Sequence, residues 1–316
     1  MNMIKRKLSN TLAKRRFARL STDPSGAGNT CIVYGNCQAD AIRILLESSP
    51  TFPLRTVSLP AVHELTPDEA DVLRDILPHV AAFVTHPIKA GYRNLGLGSE
   101  ELAAIVTGHI VKIVPLFYQG LYPFQVRVRF DGHAAPLTLY DDLRFLYCAA
   151  NGWDSDLAGR WLTTYEAPTA VLGELAEESR CELARRERDL AVDVHASHWI
   201  ADPDIHARGF FTVDHPATVL LDYVAAGICG HLGYDYNGNS NGELLGIVRT
   251  PLEPSVCAAL QLDVQPSCDW RVERTIYSQN QMLQTHLEYY SARPELVKKG
   301  VAQHSERMAR LALEIR

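Results

Sequence analysis

Short apolar runs alternate with amphipathic segments in the first third of the chain. The apolar runs predict β-strands at residues 30–34, 54–59, 80–84 and 110–114. Segments with helical spacing separate them, and the clearest opens with the capping box Thr66-Pro67-Asp68-Glu69. Strands that alternate with helices indicate a parallel sheet covered by helices. The expected fold class is therefore α/β, with an N-terminal parallel-sheet unit of about four strands.

The pattern changes beyond residue 117, where most segments have helical periodicity. Residues 126–130 alternate with period two and predict a partly exposed strand. Helices are predicted at residues 143–149, 156–165, 172–190, 216–232, 276–290 and 294–315. We therefore divide the chain into a basic tail and linker (1–29), an α/β unit (30–135) and a mainly helical portion (136–316).

The junction between the first strand and the following helix is the first candidate site. The apolar run stops at Gly35 and is followed by Asn36, Cys37 and Gln38. Ligands of open α/β sheets bind at the carboxyl ends of the strands, and a helix N-terminus favours the thiolate form of a cysteine. Cys37 is therefore a candidate nucleophile. The alternative is that Cys37 is a small half-buried residue and that Gly35 only permits the turn.

Two histidines follow apolar runs in the same way. His86 follows the third strand and precedes a proline, so a parallel sheet would bring it to the same edge as Cys37. His215 follows the run 210–213, beside Asp214, and is a candidate general base. The alternatives are that His86 only ends its strand and that Asp214 only caps a helix.

Signals for metals and phosphates are weaker. Residues 193–206 contain several His and Asp residues without the spacing of a standard ligand motif, so no metal is expected. The nucleotide-binding glycine motifs are absent. The loop 89–99 carries Lys89 and Arg93 and runs into a helix N-terminus, a combination that can hold a phosphate. A purely structural loop is the alternative.

Composition narrows the class of protein. With 316 residues, 47% hydrophobic and 22% charged, the chain is an ordinary globular sequence without an apolar run of the roughly 20 residues that span a bilayer. Seven cysteines without a C-x-x-C pair indicate reduced thiols in a cytoplasmic protein.

Charge is distributed unevenly along the chain. Seven of the 31 Lys and Arg residues lie in residues 1–20, which contain no Asp or Glu. The remaining residues are strongly acidic, which argues against binding nucleic acid. We expect a solvated, poorly ordered tail whose removal through residue 28 leaves folding intact. Peripheral contact of residues 1–20 with an anionic membrane surface is the alternative role.

Several short motifs together resemble a known family. They are Gly35-Asn36-Cys37-Gln38, His86-Pro87-Ile88, Gly91-Tyr92-Arg93, Phe211-Thr212 and His215-Pro216. This ordered set, spread over residues 30–232, resembles the WcbI-type capsular-polysaccharide biosynthesis proteins, proposed coenzyme A-dependent acetyltransferases. The resemblance implies a cradle-like α/β fold with helical additions, coenzyme A or acetyl-CoA as cofactor, and O-acetylation of a sugar in a surface polysaccharide.

A more distant likeness is to SGNH-type esterases and acetyltransferases, in which Asn36 and Cys37 would replace the acid and the serine of the nucleophile turn. The residues to which we assign roles are Asn36, Cys37, Gln38, His86 and His215 for catalysis and Lys89, Tyr92, Arg93, Ser99 and Tyr118 for the cofactor, with Arg127 and Arg129 as further phosphate contacts. Two alternatives stay open: a non-catalytic coenzyme A- or glycan-binding protein with Tyr118, Tyr122 and Trp153 as stacking platforms, and an SGNH-like esterase.

Overall fold

The computed structural model describes residues 14–130, 132–133, 135–202, 206–239 and 242–314. The chain forms two compact units, each assembled from separate stretches of sequence. Unit 1 comprises Met1–Leu116, Glu182–Gly209 and His215–Leu245, and unit 2 comprises Phe117–Cys181, Phe210–Asp214 and Gly246–Arg316. The division at residues 30–135 and 136–316 stays a prediction, and these compact units follow different boundaries.

Unit 1 is built on a four-stranded parallel sheet. The strands are β1 (Thr30–Tyr34), β2 (Arg55–Thr56), β3 (Ala82–Thr85) and β4 (His109–Lys112), in the order β2-β1-β3-β4. β1 is central, and all five of its residues are buried, as expected for a strand covered on both faces. The predicted α/β fold with about four parallel strands is confirmed.

Two helices of unit 1 begin where the sequence has capping residues. α1 (Cys37–Ser48) begins after the N-cap Asn36, and α2 (Pro67–Ile76) begins with the predicted capping box. The next helix, α3 (Ser99–Ala103), is a short one. The later stretches of unit 1 contribute α7 (Ser197–Ile200) and α8 (Thr218–His231), and α8 packs against α1.

The residues before β1 pack onto unit 1. Residues 14–20 are helical, and Pro24–Ala27 form a 3-10 helix. Leu20 is buried in the same apolar cluster as Ile32, with Phe17 packed against it, and Arg16 forms a 2.6 Å ion pair with Glu47. The prediction of a solvated tail and linker is therefore wrong for residues 14–27, because their apolar side chains complete the core. Residues 1–13 lie outside the described residues.

Unit 2 is mainly helical. Its helices are α4 (Leu143–Ala150), α5 (Ser155–Thr164), α6 (Thr169–Asp189, which continues beyond the unit), α9 (Pro254–Leu260), α10 (Gln279–Ser291) and α11 (Pro294–Arg310). α4 packs against both α10 and α11. The remaining strands of the chain are short: β5 (Gln125–Val126), β6 (Asp141–Asp142), β7 (Phe210–Thr212), β8 (His215–Pro216), β9 (Val248–Arg249), β10 (Trp270–Val272) and β11 (Thr275–Tyr277).

Several predicted boundaries differ from the structure. The strand predicted at residues 126–130 is reduced to β5, which pairs antiparallel with β6. Pro216 lies in β8 and not at the first position of a helix. Ile276 lies in β11, within an antiparallel sheet of order β11-β10-β9 that the sequence reading missed. These strands are only two or three residues long, too short to show a period-two pattern.

Candidate functional site

The turn from β1 to α1 presents Cys37 to solvent. Asn36 is the N-cap of α1, and its side-chain oxygen accepts a 3.0 Å hydrogen bond from the backbone N–H of Gln38. Cys37 is the first residue of the helix, and it is exposed. Burial raises the pKa of the Cys31 and Cys148 thiols to about 12, so these two remain protonated at neutral pH. An exposed thiol at a helix N-terminus is the arrangement that favours a reactive cysteine.

Gln38 fixes the start of α1 from inside the protein. Its side chain is fully buried, and its amide oxygen accepts from the backbone N–H of Leu116 at 2.8 Å. Its amide nitrogen donates to the carbonyl of the same residue at 2.9 Å. This paired arrangement leaves the amide directed at the backbone and away from the exposed face of Cys37. Gln38 therefore positions the helix start, and we do not retain it as a catalytic group.

His86 lies behind the same turn. It follows β3, and its Nδ1 accepts a 3.3 Å hydrogen bond from the backbone N–H of Asn36. The ring is buried, and burial, with a smaller contribution from Arg186, lowers its pKa to about 3. His86 is therefore neutral and, because Nδ1 accepts, carries its proton on Nε2. It holds the turn in place and is not available as a general base at neutral pH.

Gly35 has a specific reason to be glycine. A Cβ atom at this position would lie 2.1 Å from Nδ1 of His86 and 2.5 Å from the Cγ of the same ring. The backbone of Gly35 does not adopt a left-handed conformation, so the turn itself does not require glycine. The requirement comes from the histidine ring, which packs directly on the glycine backbone.

Glycine N–H groups of the loop at residues 89–99 bind a carboxylate of the following helix. The carboxylate of Glu101 accepts hydrogen bonds from the backbone N–H groups of Gly98, at 2.8 Å, and Gly91, at 3.2 Å. The Ser99 hydroxyl is buried and donates to the carbonyl of Ile88 at 3.2 Å. Two glycine N–H groups of the loop that was predicted to hold a phosphate are therefore already bound to an internal carboxylate. The sequence signal for Glu101 was its place three residues after the N-cap Gly98.

The other predicted cofactor residues differ in accessibility. Lys89 is exposed, and Tyr92 is half-buried against the apolar cluster of unit 1. Arg93 is exposed and donates to the carbonyls of His63 and Leu65 at 3.0 and 2.8 Å. A guanidinium has five N–H donors, so Arg93 retains donors beyond these two contacts.

Tyr118, by contrast, belongs to the interior of unit 2. It is buried, its ring packs against Phe210, and its backbone N–H donates to Val213 at 2.8 Å. Tyr122 is also buried, with its hydroxyl 2.6 Å from the carbonyl of Phe210. Neither ring is accessible as a stacking platform, and Tyr118 is not available to a cofactor.

Trp153 lies at a cavity of about 580 Å³ within unit 2. Its ring packs edge-on against Tyr147 and Trp161 at centroid distances of 5.5 Å. The cavity is formed by the ends of α4, α10 and α11 and is lined mostly by apolar side chains, with Lys298 among its lining residues. Trp153 is therefore one wall of a mostly apolar cavity in unit 2.

His215 and Asp214 have separate environments. His215 is half-buried in β8, two residues before Ala217, the N-cap of α8. The Asp214 carboxylate accepts from Tyr140 and from Thr212 (3.1 Å), and it forms a 2.7 Å ion pair with Arg127.

Asp214 therefore belongs to a polar cluster of unit 2 and does not cap a helix, contrary to the alternative considered from the sequence. The backbone N–H of Thr218 at the start of α8 donates instead to the Glu243 carboxylate at 2.8 Å. The charge of Arg127 is paired with Asp214, whereas the exposed Arg129 is hydrogen-bonded to Gln303 through its backbone.

The described part of the chain offers neither a metal site nor a membrane-spanning helix. Within residues 14–130, 132–133, 135–202, 206–239 and 242–314, no group of three or more His, Cys, Asp or Glu side chains is placed to hold a metal ion. Asp204, part of the histidine-rich stretch, lies outside these residues. Among the described helices, none combines the length and apolar character needed to cross a membrane.

Comparison with known proteins gives a family and a fold. The family model described as polysaccharide biosynthesis enzyme WcbI matches residues 30–237. A solved structure of WcbI, described as a novel polysaccharide biosynthesis enzyme in a form without a disulfide bond between coenzyme A and a cysteine, superposes with a TM-score of 0.77 and 19% sequence identity. The match covers 90% of this chain and 98% of that one. No curated protein sequence matches. Because the family model spans more than half of the chain, the protein belongs to the WcbI family of polysaccharide biosynthesis enzymes.

Proposed function

We propose that this protein is a coenzyme A-dependent O-acetyltransferase that moves an acetyl group from acetyl-CoA to a sugar hydroxyl in the biosynthesis of a surface polysaccharide. The observation that carries the proposal is the exposed Cys37 at the first position of α1, held by Asn36, Gln38 and His86. Family membership supports the polysaccharide context. The description of the related WcbI structure, which names coenzyme A and a cysteine together, supports the cofactor for this chain.

In the proposed mechanism, the Cys37 thiolate attacks the thioester carbonyl of acetyl-CoA. The bond from the carbonyl carbon to the sulfur of coenzyme A breaks, and the coenzyme leaves as its thiolate. The sugar hydroxyl then attacks the S-acetyl group on Cys37, loses its proton to a base, and regenerates the Cys37 thiolate. The acetyl group is thus passed in two acyl transfers, from coenzyme A to Cys37 and from Cys37 to the sugar hydroxyl.

The surrounding residues have supporting roles in this mechanism. The backbone N–H groups at the start of α1 and the Asn36 side-chain amide would stabilise the oxyanion that develops on the carbonyl. Gln38 and His86 position the turn from the buried side, since the Gln38 amide binds the backbone of Leu116 and His86 Nδ1 accepts from the backbone N–H of Asn36. His215 is the proposed base for the sugar hydroxyl.

The proposed contacts for the cofactor phosphates are Lys89 and Arg93, with Tyr92 beside them. Lys89 and Arg93 are exposed cations, and an arginine that already donates to carbonyls is held in a fixed orientation. Ser99 and Tyr118 are no longer included, because both side chains are buried and engaged.

The test is intact-mass analysis after incubation with acetyl-CoA, followed by assay of coenzyme release with and without candidate sugars. We expect the wild-type protein to gain the mass of one acetyl group. Cys37→Ala should show neither this mass increase nor acetyl transfer. Cys268→Ala is the matched control, since Cys268 is also exposed but lies in unit 2. His215→Ala is expected to slow transfer by about 10²- to 10⁴-fold while the acetylated enzyme still forms.

Two outcomes would contradict parts of this scheme. Near-normal transfer by Cys37→Ala with a large loss in His215→Ala would replace the covalent route with direct attack by the sugar hydroxyl. Absence of any thiol release with acetyl-CoA, despite coenzyme A raising the melting temperature, would leave a coenzyme-binding protein without transferase activity.

A further inference from the structure

Arg307, a half-buried arginine of unit 2, forms no ion pair with any carboxylate among the described residues. Arg307 lies on α11, and its Nη1 donates to the side-chain oxygen of Gln119 at 2.6 Å. Its Nε and Nη2 atoms are buried and, within the described part of the chain, have no hydrogen-bond partner. Buried polar groups in folded proteins are almost always hydrogen-bonded, and a guanidinium is always charged. An orphaned cation of this kind points to an anionic ligand.

The orientation of Arg307 defines the geometry of such a ligand. Nε and Nη2 form one edge of the planar guanidinium, the edge that binds two oxygens of one anion in parallel. The opposite nitrogen is occupied by Gln119, whose own backbone N–H donates to Ser179 Oγ at 2.9 Å. The side chain is therefore held with its two-pronged edge fixed in direction.

His304 and the backbone of Arg129 lie close to the same part of α11. His304 is one turn earlier on α11, where the helix departs from regular geometry, and its Nε2 is also buried without a partner among the described residues. Gln303 accepts from the backbone N–H of Arg129 at 2.9 Å and donates to its carbonyl at 2.8 Å, which holds Arg129 against this turn of the helix. Burial chiefly, and then Arg307 with a smaller effect of Arg129, lowers the pKa of His304.

The acidic side chains around this cluster are engaged elsewhere. Glu178 binds Arg310 through both carboxylate oxygens, each at 2.8 Å. Asp141 accepts from the Tyr290 hydroxyl at 2.6 Å. Burial without a paired carboxylate, reinforced by Arg310, lowers the pKa of Arg307 to about 10. Glu178 opposes this shift, but no carboxylate among the described residues forms an ion pair with Arg307.

We propose that Arg307, His304 and Arg129 form a binding site for a phosphate group. The edge of Arg307 would take two phosphate oxygens, and His304 and Arg129 would reach a third oxygen that a planar carboxylate does not have. The same chemistry fits inorganic phosphate and a phosphate ester carried on coenzyme A. The inference rests on the geometry of unit 2 alone and does not depend on the proposed acetyl transfer.

Thermal unfolding with increasing inorganic phosphate, at ionic strength held constant with sodium chloride, tests the site. Phosphate is expected to raise the melting temperature of the wild-type protein, because it binds the folded state. In Arg307→Met the apparent affinity is expected to fall by at least about tenfold, the loss of one charge-assisted bidentate contact. Lys298→Gln, which removes an exposed cation from the same helix, is the matched control and should retain the wild-type response.

Arg129→Ala is the second variant, because its exposed side chain can be removed without opening the core. It should weaken the phosphate response even if Arg307→Met does not fold. An equal response in wild type, Arg307→Met and Arg129→Ala, or an equal response to malonate and phosphate, would overturn the assignment.

Comparing the binding of coenzyme A with that of dephospho-coenzyme A shows whether the bound phosphate is inorganic phosphate or the 3′-phosphate of the cofactor. Weaker binding of coenzyme A by Arg307→Met, with unchanged binding of dephospho-coenzyme A, assigns the site to the 3′-phosphate of the cofactor. Unchanged binding of both forms, with the phosphate response lost, assigns it to free phosphate. Failure of acetyl transfer alone would leave either result intact.

Discussion

Acid should destabilise unit 1 through His86, whose folded-state pKa of about 3 lies well below its ordinary value of 6.5. Between these values the unfolded chain binds a proton that the folded protein does not, so stability falls as the pH decreases. The effect is small at pH 7 and reaches roughly 3–4 kcal/mol at pH 4, from 2.5 pH units at about 1.4 kcal/mol each. Among the described residues Nε2 has no acceptor, so the charged ring would gain no compensating hydrogen bond.

The measurement is the free energy of unfolding in urea at a series of pH values, for the wild-type protein and for His86→Asn. Asparagine keeps an acceptor close to the position of Nδ1, so the contact with the backbone N–H of Asn36 can be retained. Removing part of the ring should make His86→Asn less stable at pH 7. The difference between the two proteins should then shrink by about 3 kcal/mol as the pH falls to 4.

Comparison of the two proteins isolates His86 from other titrating groups. Burial also lowers the pKa of His206, His286 and His304, and carboxylates titrate in the same range. These contributions are common to both proteins and cancel in the difference. Parallel stability curves for the wild type and His86→Asn from pH 7 to pH 4 would refute the argument and would mean that the buried ring accepts a proton without cost.

Three further predictions concern stability and the N-terminal segment. Gly35→Ala should lower the free energy of unfolding in urea by about 1–3 kcal/mol, because its Cβ would overlap the His86 ring. Gly28→Ala, which has open space and a helical backbone, should be neutral or slightly stabilising. Equal effects of the two substitutions would contradict the packing argument. Gln38→Leu should cost about 1–3 kcal/mol by leaving the backbone of Leu116 unsatisfied, and an unchanged unfolding midpoint would show that water replaces the amide. Deletion through residue 28 should lower the free energy of unfolding by about 2 kcal/mol or more, because it removes Leu20 and Ala27 from the core. If residues 1–20 contact membranes, the deletion should also weaken binding to anionic vesicles at low salt.

The sequence alone was sufficient for features that depend on near neighbours in the chain. The alternation of apolar runs and amphipathic segments predicted the four-stranded sheet, since each run needs cover on both faces. The capping box at Thr66 and Glu69 predicted the start of α2, because both partners lie within one helical turn. The place of Cys37 at the start of α1 was predicted in the same way. Each of these signals comes from residues that are close together in the sequence.

The tertiary structure decided what the candidate residues do, because their partners are distant in sequence. Gln38 and Leu116 are separated by 78 residues, and the His86 ring meets the backbone of Asn36 across 50 residues. Burial makes His86 a neutral support instead of a base, and Glu101 accepts from two glycine N–H groups of the loop that was predicted to hold a phosphate. The orphaned edge of Arg307 likewise exists only because folding covers it without bringing a carboxylate. The charge of a side chain and its accessibility to a ligand depend on its surroundings in three dimensions. The spacing of residues along the chain does not show those surroundings.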